Sequence, residues 1–359
     1  MTAQRKPLVS IACGGTGGHF FPGVAIAREL VNRGVRTSLW ISSKKIDQQA
    51  AQTVPDLECH ELTAVGFESF RPWKFLFAMR SAMRSVYSHM LQDCPRAVLG
   101  MGGFTTAAPV LQGKKLGALT FLHESNAKAG RANRLLSRWA DEVFVGFSQA
   151  TGYFDVKSTL DVGTPVRQSF RCAEYHSSRQ VLGFEMDKPL ILVLGGSQGA
   201  RGVNNLLMKT MHRLPEVQVL HLSGANDLDD VHKSYACRKY PSQVHAFLRE
   251  MPEAMAAATL AVTRAGASSL AELAAAGVPS IMVPLPGSAD KHQLANARAV
   301  AEIGGGIIVE EKMSSGQLGS IISTLLNDKA KLNMMSKNIR KLDRPDAAKE
   351  IAARILERM

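Results

Sequence analysis

Short apolar runs that stop at glycines alternate with stretches of helical period along the whole chain. Residues 8–13 form the first such run, and a run of this length halted by glycines predicts a buried parallel strand. After the glycines, from about Pro22, the apolar residues Val24, Ile26, Ala27, Leu30 and Val31 recur at helical spacing until Gly34. Further strands are predicted near residues 37–41, 97–100, 119–122 and 142–145. The pattern breaks at Gly163-Thr164-Pro165-Val166-Arg167 and then restarts. Residues 189–194 run into Gly195-Gly196-Ser197-Gln198-Gly199, and a helix is predicted from about 203 to 214. Strands at 259–263 and 280–283 follow, the first leading into a helix that stops at Gly277. Such alternation predicts an α/β protein with doubly wound parallel sheets. The repeated unit of strand, glycines and helix divides the chain into two related halves, 1–165 and 166–343, facing a ligand cleft. A last helix in 344–359 is expected to cross back onto the first half.

The loop Gly14-Gly15-Thr16-Gly17-Gly18-His19 joins the first strand to a helix. Glycines let a ligand approach the backbone, and a helix N-terminus favours an anion, so the loop predicts a phosphate site. It is not the dinucleotide fingerprint, because Phe20 stands where a third glycine is required. The strand at 37–41 ends in Ser42-Ser43-Lys44-Lys45 and offers no acid for a ribose. His19, a titratable imidazole at the loop, is a candidate general base. A second glycine loop, Gly100-Met101-Gly102-Gly103-Phe104, and the polar run His123-Glu124-Ser125-Asn126 close two further strands. Open α/β sheets bind ligands at such strand ends.

In the second half, Ser268 and Ser269 are expected to cap the helix after Arg264-Ala265-Gly266, with its N-terminus facing a phosphate and Glu272 accepting from ribose hydroxyls. The loop from Pro284 to Asn296 carries Asp290, Gln293 and Asn296, side chains suited to sugar hydroxyls. Gly195 to Gly199 also fits G-x-S-x-G, the nucleophile elbow of serine hydrolases, with His245 or His292 as partner. That reading leaves the first half's glycine loops without a task. Asp227-Leu228-Asp229 matches a metal-binding D-x-D but reads as an exposed helix start, and no metal site is assigned.

The chain has 359 residues and a formal net charge of +12, which calls for anionic company. No recognisable nucleic-acid-binding motif is present, so no nucleic-acid partner is expected, and phosphorylated substrates or anionic lipid fit the charge. Five scattered cysteines without a C-x-x-C pair fit a reducing cytoplasm, and residues 1–20 lack a signal-peptide pattern. Residues 67–91 combine Phe70, Trp73 and Phe77 with Arg71, Lys74, Arg80 and Arg84, and no Asp or Glu occurs between Ser69 and Gln92. Such a segment docks on an anionic bilayer as a peripheral contact or packs one apolar face on the sheet, and the sequence leaves both open.

Together these motifs resemble the MurG family of bacterial N-acetylglucosaminyltransferases over nearly the whole length. Residues 14–22 and 100–104 are similar to the family's two glycine loops, His123–Asn126 to H-E-Q-N, and Gly163–Arg167 to G-N-P-V-R. Gly195–Ala200 matches G-G-S-Q-G-A, and Arg264–Gly277 resembles R-S-G-A with a glutamate and A-A-A-G. Ser125, Thr164, Ala265 and His292 depart from the family pattern. The resemblance implies the two-domain GT-B fold and no cofactor. It implies a UDP-N-acetylglucosamine donor held mainly by the second domain. The acceptor implied is the undecaprenyl-diphosphate-linked muramoyl peptide, lipid I, met at the cytoplasmic membrane face. The donor ligands it implies are Thr16, Gly17, Gly18, Asn126, Arg167, Ser197, Leu248, Ala267, Ser268, Ser269, Leu270, Ala271, Glu272 and Gln293. His19 or Glu124 would be the base of an inverting transfer. Another GT-B transferase, a UDP-sugar epimerase and a non-catalytic nucleotide-sugar binder remain as alternatives.

Overall fold

The computed structural model describes residues 6–15, 17–62, 72–155, 158–196, 199–236 and 238–359. The chain divides into two compact units, 1–166 with 344–359, and 167–343.

The first unit is built on strands β1 (Leu8–Ala12), β2 (Arg36–Ser42), β3 (Glu58–Leu62), β4 (Ala97–Gly100), β5 (Leu119–Glu124), β6 (Glu142–Val145) and β7 (Thr159–Asp161). They form one parallel sheet in the order β3-β2-β1-β4-β5-β6-β7. The middle strands β1 and β4 are buried on both faces, which is why they read as unbroken apolar runs. On one face Ile11, Val24, Ala27, Leu30 and Leu39 pack with Ile351, Ala352 and Ile355 of the last helix, Ala347–Arg358. Burial at that size contributes roughly 1.5–3 kcal/mol for each large side chain. Arg354 of this helix also pairs with the fully buried Glu142 at 3.0 Å.

The opposite face packs against helix Pro72–Asp93 through Ala82, Val86 and Met90, a stripe at i, i+4 and i+8. Phe77, Arg80, Arg84 and Leu91 fall on the other side of that helix. Phe77 is 73% exposed and Leu91 53% exposed, and both arginines lie open to solvent. The helix therefore uses one face for the core and leaves a mixed aromatic and basic face uncovered. Phe70 and Arg71, with the side chains of Trp73 and Lys74, lie outside the described residues.

The second unit holds β8 (Leu190–Leu194), β9 (Gln218–Leu222), β10 (Ser242–His245), β11 (Leu260–Thr263), β12 (Ser280–Met282) and β13 (Gly306–Ile308). Its parallel order is β10-β9-β8-β11-β12-β13.

Two sequence expectations shift. The first helix begins at Gly17, five residues before Pro22, so His19 lies in its first turn and Pro22 inside it. The apolar period starts late because the first turn is glycine, histidine and two phenylalanines. In addition, β3 and β7 join the five strands expected in the first half. β3 (Glu-Cys-His-Glu-Leu) and β7 (Thr-Leu-Asp) are sheet edges, where polar side chains hide the strand period.

Candidate active site

Strand order reverses between β1 and β4 in the first unit and between β8 and β11 in the second. Ligands of open α/β sheets bind beyond the carboxyl ends of strands at such switch points. The described parts of all four glycine-bearing loops singled out in the sequence emerge there: 13–15 and 101–103, then 195–196 with 199–200, and 264–266.

In the first unit the two loops are laced together. The Thr105 hydroxyl donates to the Gly14 carbonyl at 2.7 Å, while Thr106 Oγ1 accepts from Gly102 N–H at 3.0 Å. Gly14 runs so close to β2 that an added Cβ would stand 2.3 Å from Ser42 N. Gly15, at φ +110°, donates its N–H to Asp47 Oδ2 at 2.5 Å. His19 packs against the backbone of Gly102 (φ +106°) and Gly103 (φ +77°). A Cβ at Gly102 would meet its Nε2 at 3.2 Å, and one at Gly103 would meet its Cε1 at 3.3 Å. Both positions need glycine twice over, for the left-handed backbone and for the imidazole that fills the Cβ space.

His123 closes β5 fully buried, with Nε2 3.0 Å from the Gly163 carbonyl and Nδ1 3.2 Å from Ser125 Oγ. A carbonyl only accepts, so Nε2 carries the proton and Nδ1 takes the serine hydroxyl. Burial is the main cause that pushes this imidazole below its ordinary value, opposed by the Gly163 bond and Glu124. It stays neutral and structural. Ser125, one of the departures from the family pattern, fits because its hydroxyl completes that tautomer.

Glu124 is buried, and both of its oxygens are engaged. Oε1 accepts from the Asn126 N–H and side-chain amide, each at 2.9 Å. Oε2 accepts from Gly130 N–H at 2.9 Å and the Asn133 amide at 3.0 Å. Four donors on one carboxylate hold the turn that presents Asn126. Protonating Glu124 would weaken all of them.

In the second unit Gly195 and Gly199 bring the loop against backbone. A Cβ at Gly195 would sit 2.5 Å from Ala200 N, and one at Gly199 2.4 Å from the Ser223 carbonyl. The next loop is fixed by Arg264, whose guanidinium donates to the Val283 carbonyl at 3.0 Å and pairs with Glu311 at 2.5 Å. Asn296 donates to the Ala265 carbonyl at 3.0 Å. Helix Ala267–Ala276 starts from Gly266, which has extended backbone and no side-chain cap. This corrects the expectation that Ser268 and Ser269 cap it. They occupy its first turn with Ala267, and the N-cap position itself is a glycine with no side chain. Such an end suits an anion.

Leu270 and Ala271 lead along the same helix to Glu272, a half-buried residue whose carboxyl group is itself desolvated and so pushed up to about 7, while Arg167 pulls it down. Arg167 stacks its guanidinium 5.0 Å over the Phe170 ring. Gln293 accepts from Leu285 N–H at 2.9 Å, which ties the loop after β12 to the following helix. Leu248 is half-buried after β10, with β9 and β8 between that strand and β11. Thr16, Ser197 and Gln198 lie outside the described residues.

A buried polar chain beneath the second unit's glycine loop had no counterpart in the sequence reading. The Asn204 amide donates to the Ser223 carbonyl at 2.9 Å and to Asp227 at 2.8 Å, and its oxygen accepts from His221 Nε2 at 2.9 Å. Tyr235 lies 2.8 Å from His221 Nδ1. Burial pushes His221 down to about 3, so it is neutral and serves as a strut. Asp227 of the D-x-D run is thus 8% exposed and engaged, not an exposed helix start. The one available signal was a histidine in the apolar strand Gln-Val-Leu-His-Leu.

Residues 9–145 match the glycosyltransferase family 28 N-terminal domain and residues 190–351 the glycosyltransferase family 28 C-terminal domain. A UDP-N-acetylglucosamine–N-acetylmuramyl-(pentapeptide) pyrophosphoryl-undecaprenol N-acetylglucosamine transferase of Alkalilimnicola ehrlichii is 36% identical, over 97% of this chain and 98% of its own. The protein of the same name from Myxococcus xanthus is 33% identical over 96% and 91%. The crystal structure of Acinetobacter baumannii MurG superposes with a TM-score of 0.76 at 27% identity, covering 98% of this chain and 99% of that one. The two α/β units carry the GT-B fold, which retires the serine-hydrolase reading. The chain belongs to the MurG family of N-acetylglucosaminyltransferases, within glycosyltransferase family 28.

Proposed function

We propose that this enzyme moves N-acetylglucosamine from UDP-N-acetylglucosamine to the muramoyl 4-hydroxyl of lipid I, with inversion, giving lipid II for peptidoglycan. Full-length similarity to relatives named for this transfer carries the reading. In it, His19 takes the proton of the acceptor hydroxyl as that oxygen attacks the anomeric carbon and UDP departs. His19 is preferred to Glu124, whose four hydrogen bonds make it the organiser of the Asn126 turn. Arg167, Ser197 and the N-terminus of helix Ala267–Ala276 balance the charge that develops on the diphosphate. Glu272 accepts from the ribose, and Thr16, Gly17, Gly18, Asn126, Leu248 and Gln293 complete the donor contacts. UDP release measured in a coupled assay tests this scheme. It should require lipid I, and release with water alone, or conversion of the sugar to its 2-epimer, would contradict it.

The acceptor is a lipid, and the enzyme works as a peripheral protein at the cytoplasmic face of the membrane. Among the described residues no helix is long and apolar enough to cross a bilayer. Contact then falls to the uncovered face of helix Pro72–Asp93, with Phe77, Arg80 and Arg84 on it and Phe70, Arg71, Trp73 and Lys74 close by in sequence. Each cation near an anionic surface contributes about 1 kcal/mol. Changing Arg71, Lys74, Arg80 and Arg84 together to Gln should release the protein from phosphatidylglycerol vesicles in a sedimentation assay. Turnover of a water-soluble lipid I analogue should survive. Undiminished co-sedimentation would assign the membrane contact elsewhere.

A further inference from the structure

The first glycine loop is anchored by a group that the transfer does not call on. Asp47 follows β2 in helix Lys45–Ala51 and is fully buried. Its Oδ2 accepts from Gly15 N–H at 2.5 Å, from Ser42 N–H at 3.1 Å, and from the Ser42 hydroxyl. Its Oδ1 is buried with no hydrogen-bond partner among the described residues. A carboxylate is costly to bury, and three donors on one oxygen fix its position strongly. They also fix Gly15, at φ +110°, where the chain turns out of the sheet. His19 follows four residues later. On the other side Thr105 holds Gly14, and Thr105 belongs to the same loop whose Gly102 and Gly103 pack against the imidazole.

We infer that Asp47 is a positioning residue for His19: an internal carboxylate occupies the Gly15 donor that a substrate anion takes in a phosphate loop, and so sets the loop before any ligand arrives. The inference rests on His19 being the base. It has a counterpart in charge, because a buried carboxylate behind Gly15 disfavours a substrate phosphate at that point and leaves the diphosphate to the second unit.

The test compares Asp47→Ala, Asp47→Asn and Ser42→Ala in the full-length enzyme. A misplacement near 1 Å costs on the order of 100-fold in turnover. Asp47→Ala is therefore expected to lower kcat by about that factor, while the calorimetric affinity for UDP, whose proposed ligands lie mainly in the second unit, changes far less. Asp47→Asn, whose amide oxygen can take the same three donors, should restore most of kcat. The imidazole nitrogen resonances of His19 should move in Asp47→Ala and return in Asp47→Asn. Unmoved resonances with an unchanged kcat in a folded Asp47→Ala would overturn the inference, as would an Asp47→Asn no better than alanine. If the alanine variant does not fold, Ser42→Ala decides. Loss of one donor should shift the His19 signals and reduce kcat, and wild-type behaviour in both would refute the role. The resonances report on loop geometry independently of the chemistry. A His19→Ala enzyme with full turnover would remove the base assignment without touching the anchoring result.

Discussion

Replacing His19 with alanine is expected to lower kcat by roughly two to four decades, the range a positioned general base contributes. Donor affinity should hardly change, because the proposed nucleotide ligands belong mainly to the second unit. The loss should therefore fall on kcat, with the KM for the donor close to wild type. The structure favours a specific effect over a folding defect. The imidazole is partly exposed and packs on glycine backbone at 102 and 103, so its removal opens surface space and leaves the apolar core intact. Steady-state rates with a lipid I analogue, with melting temperature as the control, check this. Wild-type kcat in a folded His19→Ala enzyme would move the base elsewhere.

Removing Glu272 should act on the other substrate. A hydrogen bond to a charged group contributes about 1.5–3 kcal/mol, so Glu272→Ala should weaken UDP affinity by roughly one to two decades. The pH dependence gives a second readout. Burial raises this carboxyl from its ordinary 4.5 to about 7, with Arg167 pulling the other way. Ribose hydroxyls donate to the ionised form, so donor affinity should strengthen as pH rises through about 7 and fade below it. Folding responds with the opposite sign. The native state keeps a proton that the unfolded chain has lost, so this group's contribution is complete below its ordinary value and disappears as pH climbs to about 7. Glu272→Gln should flatten both slopes. Calorimetry with UDP between pH 5.5 and 8.5, read on the order of one pH unit either side of the midpoint, would remove Glu272 from the site if the two proteins gave the same curve.

Much of this was legible in the chain because the central strands of a doubly wound sheet are apolar on both faces. The runs at β1, β4, β8 and β11 announce themselves, and the glycines that end them mark the switch points. Edge strands carry no such signature: β3 offers two glutamates, a cysteine and a histidine in five residues. His19 stood out as a candidate because it is a titratable side chain directly after the five glycine-rich positions 14–18. Asp47 did not. Lysines stand at the end of β2 where an acid would hold a ribose, while the carboxylate arrives within the next helix, inside the polar run Lys-Ile-Asp-Gln-Gln. Nothing in that run separates a buried acid from a solvated one. The chain linking Asn204, His221, Asp227 and Tyr235 was hidden for a different reason, since its members come from separate elements and share no spacing.

Purified enzyme, lipid I and UDP-N-acetylglucosamine labelled in the sugar test the central claim most directly, with the organic-phase product isolated and its glycosidic linkage determined by NMR. The label is expected on the muramoyl 4-hydroxyl as a β-linked disaccharide still attached to the lipid, formed in equal amount with UDP. Label recovered as free sugar, as the 2-epimer of the donor, or in an α-linkage would contradict an inverting transfer to lipid I.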